Sequence, residues 1–267
     1  MTGDGVNDAP AVQGADVGIA MGRTGTEVTR QAADMIITDD HFATIVSAVQ
    51  EGRGVYANIR QTLQYLLAGN TGELLLMTVC VVIGLPAPLA PIHLLWINLV
   101  TDGLPAFCLA TDPIDPDVMT QPPRRRSQPI ADRRFWFALL LTGSLTAVIT
   151  FVVYRHMLGS ARPEAARSYA FTVLVFAELL RAFGARSATK SIWQMRPLVN
   201  VPLVIAVAVS IVFQLSMGHS EVISRVLKTT HMPFADGALL LAIGAIPLVA
   251  LELLKIARRA RVALHTR

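Results

Sequence analysis

The stretch LLWINLVTDGLPA, Leu94–Ala106, decides how the sequence is interpreted. It is apolar enough to lie in a bilayer, yet it carries Asn98, Thr101 and Asp102 near its middle. Spacings of three and four residues place these side chains on one face of a helix. An ionised aspartate at the centre of a membrane span costs at least roughly 2.5–3.5 kcal/mol, so it usually faces protein, water or an ion. The stretch therefore predicts a transmembrane helix with one polar face.

Gly103 and Pro105 follow this polar face, so we expect the helix to loosen there and to free backbone carbonyl groups. A carboxylate, an amide, a hydroxyl and free carbonyls form a hard-oxygen set that suits cations such as Ca²⁺. For Asn98 or Thr101 alone, a polar contact between two helices is the better interpretation. All three side chains on one face beside a helix break favour an ion site.

The composition is that of a membrane protein. Of the 267 residues, 53% are hydrophobic and 16% are charged, and the mean hydropathy of +0.50 is too high for an ordinary soluble domain. The net charge of +4 comes from basic residues spread between apolar segments, so the lipid bilayer is an expected partner and nucleic acid is not. We expect a mainly α, polytopic bundle in residues 53–267. Its six transmembrane helices are predicted at residues 59–85, 92–110, 135–156, 167–185, 198–217 and 237–256.

Residues 1–52 have the pattern of soluble α/β structure. The short apolar runs Asp16–Met21 and Asp34–Thr38 are bounded by turn residues and predict strands. Thr24–Ala33 and Phe42–Gln50 fit helices. Because about fifty residues with two strands cannot bury a core of their own, we expect this segment to be the end of a larger domain.

The opening string TGDGVNDAPA, Thr2–Ala11, is the most specific in the chain. Its glycines allow a tight turn, while Asp4, Asn7 and Asp8 supply groups that suit Mg²⁺ and phosphate. A shorter string would be interpreted as a simple turn. The whole string resembles the hinge motif of the P-type ATPases, a branch of the haloacid dehalogenase-like phosphotransferases, although the family usually has leucine where this chain has Val12.

This resemblance implies that residues 1–52 are the C-terminal remnant of a haloacid dehalogenase-like phosphorylation domain. It implies that Asp4 is a Mg²⁺ ligand, that Asn7 contacts phosphate and that Asp8 is a supporting carboxylate, with Mg²⁺ and ATP as cofactors of the intact pump. No DKTGT string, which carries the phosphorylated aspartate in that family, occurs in the sequence. We therefore expect Met1 to be an internal methionine, the missing N-terminal part of the pump to be a partner if made separately, and this chain not to turn over alone.

Acidic residues also lie inside other predicted spans. Asn70 and Glu73 sit three apart in the first span, where a glutamate is costly unless it is paired, protonated or coordinating. A neutral glutamic acid hydrogen-bonded across the bundle is the alternative. NTGE in this span and NLVTDGLPA in the second are similar to the Ca²⁺ pumps of the sarco/endoplasmic reticulum type, which are type II P-type ATPases.

By this resemblance, a set of side chains binds the transported cation, with one further glutamate on a helix that this chain lacks. The expected ligands are Asn70, Glu73, Asn98, Thr101, Asp102 and Glu178. The presence of Glu73 hints at two transported ions rather than one.

The favoured hypothesis is thus the C-terminal portion of an ATP-driven Ca²⁺ pump. The alternatives are a truncated, inactive membrane protein that only binds cations or a partner, and a pump for Na⁺, Mn²⁺ or H⁺. Basic segments, among them Arg124–Arg126 and Arg196, predict that the N-terminal part and the C-terminus are cytoplasmic, with a bacterial plasma membrane as the expected location.

Overall fold

The structure is a computed structural model of the chain. It describes residues 1–124, 127–160, 162–195 and 199–265, with side chains only up to residue 259. The predicted basic run Arg124–Arg126 therefore lies outside the described residues except for Arg124, as do Arg196 and the predicted start of the fifth span at residue 198.

Two compact units make up the chain. The first combines Met1–Val55 with Ile114–Pro122, and the second combines Tyr56–Pro113 with Pro123–Arg267. The predicted boundary between residues 52 and 53 stays a prediction.

The first unit contains three short parallel strands in the order β1, β2, β3. These are β1 Thr2–Gly3, β2 Ile19–Met21 and β3 Met35–Ile37, with Thr2 opposite Ile19 and Ile19 opposite Met35. Helix α1 comprises Ala9–Gln13 and helix α2 comprises Glu27–Ala32. The two predicted strands occur in shortened form, and β1 is an addition that the sequence analysis did not predict.

Asp40 closes the loop that follows β2. Its carboxylate accepts hydrogen bonds from the backbone N–H groups of Gly22 (2.7 Å), Arg23 (3.0 Å) and Thr24 (2.8 Å). Its backbone has a φ of 59°, in the left-handed region that aspartate tolerates better than most residues. These hydrogen bonds, that of Arg23 foremost, lower the pKa of Asp40 to about 2.

Six helices in the described residues are long and apolar enough to cross a membrane, as the sequence predicted. They comprise Phe42–Val82, Pro91–Ala110, Arg133–Ser160, Pro163–Ala185, Val201–His219 and Phe234–Arg259. The first of them, α3 Phe42–Val82, is continuous over 41 residues, so the predicted helix Phe42–Gln50 is its beginning rather than a separate element.

The other five spans are shorter than α3, and some of them are made of more than one helical segment. The second span consists of α4 Pro91–Trp96, a π-helical turn at Ile97–Thr101 and α5 Gly103–Ala110. The third and fourth spans are α6 Arg133–Ser160 and α7 Pro163–Ala185. The remaining helices are α8 Val201–Ser216, α9 Glu221–Leu227, α10 Phe234–Gly244 and α11 Ile246–His265.

Helix α7 is the centre of the membrane unit. Every residue from Ala170 to Leu179 is buried, and α7 packs against α5, α6, α8, α10 and α11. Small residues allow close approach elsewhere: a β-carbon on Gly143 of α6 would lie 2.9 Å from the backbone oxygen of Ala68 in α3. Outward-facing apolar side chains such as Val82 and Phe107 are exposed, as expected for surfaces that face lipid.

A buried polar network ties the ends of several helices together. The Arg186 guanidinium makes two hydrogen bonds to the Asp112 carboxylate, Nε to Oδ2 at 2.8 Å and Nη2 to Oδ1 at 2.9 Å. The side-chain amide of Asn200 donates to Asp112 Oδ1 (2.8 Å) and to the Cys108 oxygen (2.9 Å). Asn58 of α3 donates to the Asp112 backbone oxygen at 2.7 Å. Asp112 thereby joins α3, α5, α7 and the start of α8.

Candidate functional site

The second span is interrupted in its middle by the π-helical turn. The Asp102 N–H donates to the Ile97 oxygen at 2.8 Å, five residues back, instead of to the oxygen four residues back. The sequence predicted loosening at Gly103 and Pro105, whereas the structure places it in the preceding turn and resumes the α-helix at Gly103. Single π turns of this kind are frequent at functional sites.

Besides Asp112, three acidic side chains among the described residues are buried inside the membrane unit. Glu73 of α3 is 7% exposed, Asp102 is 2% exposed and Glu178 of α7 is fully buried. Both carboxylate oxygens of Asp102, both of Glu178 and Oε1 of Glu73 are buried without a hydrogen-bond partner among the described residues. Buried polar groups are normally paired, because an unpaired one loses its hydration without compensation. These oxygens therefore have the capacity to bind a cation.

Gly69 of α3 marks where two of these acids meet. A β-carbon built on Gly69 would lie 3.1 Å from Glu178 Oε1 and 3.3 Å from Asp102 Oδ2. The missing side chain thus leaves room beside both carboxylates. Glu73 follows one helical turn later on the same face of α3.

The predicted neutral ligands differ in burial. Thr101 is buried, 1% exposed, while Asn70 and Asn98 are exposed. The Asn98 amide donates to the Leu94 oxygen at 2.9 Å and to Glu73 Oε2 at 3.5 Å. Asn98 is therefore exposed where Thr101 and Asp102 are buried, and the π turn changes the angular relation between them that α-helical spacing would give.

Two residues that the sequence analysis did not single out belong to this cluster. Arg181 of α7 is 2% exposed, and its Nη1 donates to the Tyr65 oxygen at 3.0 Å. Its Nη2 would lie 3.1 Å from the β-carbon built on Gly69. Tyr65 is 1% exposed, and its hydroxyl has no hydrogen-bond partner among the described residues. The signal in the sequence was an arginine inside an apolar span, three residues after Glu178.

As the side chains stand, no three described histidine, cysteine, aspartate or glutamate residues are close enough together to hold a metal ion. A cation held by Glu73, Asp102 and Glu178 would therefore draw these carboxylates together or share them with neutral oxygen ligands. Hard cations such as Ca²⁺ accept mixed oxygen sets of this kind.

The string Thr2–Ala11 forms a separate candidate site in the first unit. Asp4 directly follows β1, at the carboxyl end of a parallel strand, where ligands commonly bind in α/β structures. Asp4 and Asn7 are exposed, so both side chains are available to a ligand. The loop between them is fixed by the Thr29 hydroxyl, which donates to the Gly5 oxygen at 2.7 Å.

Asp8 has a different position from Asp4. Its Oδ2 accepts hydrogen bonds from the backbone N–H groups of Gly5 (3.0 Å) and Asp4 (3.1 Å). These two hydrogen bonds, that of Gly5 first, hold the pKa of Asp8 below its ordinary value. The Asp8 carboxylate therefore fixes the backbone of Asp4 and Gly5.

Six apolar helices around buried carboxylates define an integral, multi-pass membrane protein. Residues 86–257 match the family described as cation transporting ATPase, C-terminus. The chain is 41% identical to a calcium-transporting ATPase of Bacillus subtilis over 253 residues, which are 92% of this chain and 28% of that protein.

Other relatives agree. Identity is 37% to calcium-transporting ATPase 1 of Bacillus cereus, covering 97% of this chain and 31% of the relative. It is 35% to calcium-transporting ATPase type 2C member 1 of Mus musculus, covering 98% of this chain and 28% of the relative. The chain belongs to the P-type cation-transporting ATPases and corresponds to their C-terminal portion. It spans less than a third of the length of these relatives.

Proposed function

We propose that this chain provides the ion-translocating part of an ATP-driven Ca²⁺ pump. The observation that carries the proposal is the set of three buried carboxylates with unpartnered oxygens, contributed by three different spans. The names of the relatives support Ca²⁺ as the cargo. ATP hydrolysis would belong to the complete ATPase, since the 267 residues contain no DKTGT string.

The proposed cation ligands come from three helices. Glu73, Asp102 and Glu178 supply the charges, and Thr101 a buried hydroxyl. Asn70 and Asn98 are proposed as neutral ligands that turn inward when the cation binds, which the contact between Asn98 and Glu73 favours. Oxygen-only ligands suit Ca²⁺, and such flexible sets tolerate the adjustment that binding requires.

Transport would follow from alternating access. Phosphorylation in the cytoplasmic part would shift α3. This helix begins at Phe42 in the first unit and carries Gly69 and Glu73 further along. Moving Glu73 relative to Asp102 and Glu178 changes the number of carboxylates that face the ion and hence its affinity. The π turn beside Asp102 is the place in the second span best able to yield to such a shift.

For the first unit we propose the C-terminal part of a haloacid dehalogenase-like phosphorylation domain, within residues 1–52. Asp4 would hold Mg²⁺, which neutralises phosphate charge when bound, and Asn7 would contact phosphate. Asp8 would position both by holding the backbone N–H groups of Gly5 and Asp4. We further propose that this unit and the C-terminus are cytoplasmic, on the basis of the basic segments in the sequence. A bacterial plasma membrane is proposed on the basis of the Bacillus relatives.

The test is ATP-dependent ⁴⁵Ca²⁺ uptake into proteoliposomes by the complete ATPase with this C-terminal sequence, compared with its Asp102→Asn variant. We expect uptake by the wild type and none by the variant. Glu221→Gln, an exposed acid at the start of α9, is the matched control and should transport normally. Equal uptake by Asp102→Asn and wild type would remove the proposed cation site.

A further inference from the structure

Arg181 is a buried cation that the proposed function does not use. It lies about one turn before the C-terminal end of α7, the most enclosed helix, and is 2% exposed. A charged side chain at such a place is costly and is retained where it has a partner or a function. Since an arginine keeps its charge in proteins, this positive charge is a permanent part of the bundle interior.

The contacts of Arg181 satisfy only part of its guanidinium. Nη1 donates to the Tyr65 oxygen at 3.0 Å, and the guanidinium carbon lies 5.0 Å from the centre of the Tyr65 ring. Nε and Nη2 are buried and have no hydrogen-bond partner among the described residues. The side chain is therefore held at one edge by Tyr65, while Nε and Nη2 are available to a further partner.

These free donors lie at the acidic cluster. Arg181 Nη2, Glu178 Oε1 and Asp102 Oδ2 surround the same point beside Gly69, at 3.1 Å, 3.1 Å and 3.3 Å from a β-carbon built there. Tyr65, Gly69 and Glu73 follow one another at four-residue spacing along one face of α3. The guanidinium thus lies at the Tyr65 end of this face, the two carboxylates lie at Gly69, and Glu73 lies at the opposite end.

The summed charge of these four side chains limits how many divalent cations the site can hold. Ionised Glu73, Asp102 and Glu178 carry three negative charges, and Arg181 reduces the total of these four side chains to two. One divalent cation balances that charge, whereas two divalent cations would leave an excess of two positive charges in a low-dielectric interior, against one if Arg181 were neutral. A guanidinium also presents donors in a fork that matches carboxylate oxygens, so it can occupy a place between two carboxylates as an ion would.

We propose that the Arg181 guanidinium is a tethered cation that occupies the Asp102–Glu178 side of the membrane site, so that the chain binds one divalent ion, at the Glu73–Asp102 side, instead of two. This inference rests on the proposed cation site and specifies its capacity. It replaces the expectation of two ions that the presence of Glu73 suggested.

The experiment is equilibrium ⁴⁵Ca²⁺ binding to the full 267-residue chain in lipid nanodiscs, counted as ions bound per chain at saturation. We expect one ion for the wild type and for Arg181→Lys, which keeps the charge. Arg181→Met, which keeps the length of the side chain but not the charge, should bind two. Asp102→Asn should bind none, alone or combined with Arg181→Met.

A rescue measurement separates a cation role from a purely structural one. In Arg181→Ala, millimolar guanidinium ion should displace one of the two bound ⁴⁵Ca²⁺ ions, because it can enter the place of the lost side chain. The same guanidinium concentration should leave the wild-type count unchanged. A side chain that only supported the fold would not produce this exchange.

The failures are distinguishable. Two ions bound by the wild type, or one ion bound by Arg181→Met and Arg181→Ala, would overturn the tethered-cation inference and leave the cation site in place. Binding that is absent from the wild type and from both neutral variants, or that persists in Asp102→Asn, would overturn the proposed site itself and the inference with it.

Discussion

Asp112 and Arg186 form an enclosed, two-pronged ion pair at the end of α7, with side-chain exposures of 5% and 6% and hydrogen bonds of 2.8 Å and 2.9 Å. A second pair, Arg60 with Asp132, spans 2.6 Å but has both side chains 25% exposed. Both are arginine–aspartate pairs, but the second is joined by one hydrogen bond instead of two and is more exposed, so the two can be compared within one chain.

The enclosed pair should be the more sensitive to truncation. Arg186→Met leaves the Asp112 carboxylate buried without its cation, and we expect it to lower the free energy of unfolding by about 3–5 kcal/mol. Arg60→Met at the more exposed pair should cost about 0–1 kcal/mol. Denaturant titration of the chain in detergent micelles, followed by circular dichroism, measures both. Similar losses for the two variants would contradict the role assigned to burial.

Glu73→Gln in the complete ATPase should weaken Ca²⁺-dependent phosphorylation by ATP. Removing a charged ligand from the proposed site should raise the half-maximal Ca²⁺ concentration at least about a hundredfold, equivalent to about 2.8 kcal/mol. Asn70→Ala removes only a neutral ligand and should cause a smaller shift. The measurement is ³²P incorporation across a Ca²⁺ titration, and an unchanged midpoint for Glu73→Gln would exclude Glu73 as a ligand.

Asp4 and Asp8 should fail in different ways. Asp4→Asn should raise the Mg²⁺ concentration that phosphorylation requires, because a proposed ligand loses its charge. Asp8→Ala frees the backbone of Asp4 and Gly5, and misplacement on this scale should lower the phosphorylation rate about a hundredfold. Rapid-quench phosphorylation at varied Mg²⁺ separates the two, with exposed Glu51→Gln as control. An Asp8→Ala enzyme of normal rate would show that the hydrogen bonds of Asp8 to Asp4 and Gly5 are dispensable.

Acid should loosen the loop that Asp40 holds. The pKa of Asp40 is about 2 in the folded chain, against an ordinary value of 3.8, so its stabilising contribution is complete above the ordinary value and is lost as the pH falls through about 2. We expect hydrogen–deuterium exchange at Gly22–Thr24, corrected for intrinsic rates, to rise as the pH falls from the ordinary value of 3.8 to about 2. Asp40→Asn tolerates the same backbone conformation but does not titrate, so it should remove this pH dependence. Equal pH profiles for both chains would assign the effect to another group.

Much of the fold follows from local pattern. Long apolar segments predict membrane helices because backbone hydrogen bonds must be satisfied within each segment in lipid, and the six spans follow from this. The acid at position 102 was also evident, since a carboxylate in such a segment is rarely without a function. Strand β1 was missed because two residues carry no periodicity, and only pairing with β2 makes them a strand.

Other features depend on packing between distant segments. The π turn before Asp102 cannot be distinguished by composition from ordinary helix, so the change that it makes to the spacing of Asn98, Thr101 and Asp102 could not be predicted. Arg181 is visible in the sequence as an arginine inside an apolar segment. Its position at the acidic cluster depends on packing against Tyr65 and Gly69, which lie more than a hundred residues earlier in the chain. Asp8 was predicted to be a supporting carboxylate. The sequence could not show that it accepts hydrogen bonds from the backbone N–H groups of Asp4 and Gly5.

The π turn has one more consequence, for how the second span can change by insertion or deletion. It accommodates one residue more than an α-helical turn, so the extra residue is taken up within the turn. Deleting a single residue from Ile97–Thr101 would convert the π turn into an α-helical one and leave α4 and α5 facing as they do now. The same deletion within α4 or α5 would instead rotate everything on one side by about 100° relative to the other. This segment should therefore tolerate the loss of one residue better than the α-helical segments beside it.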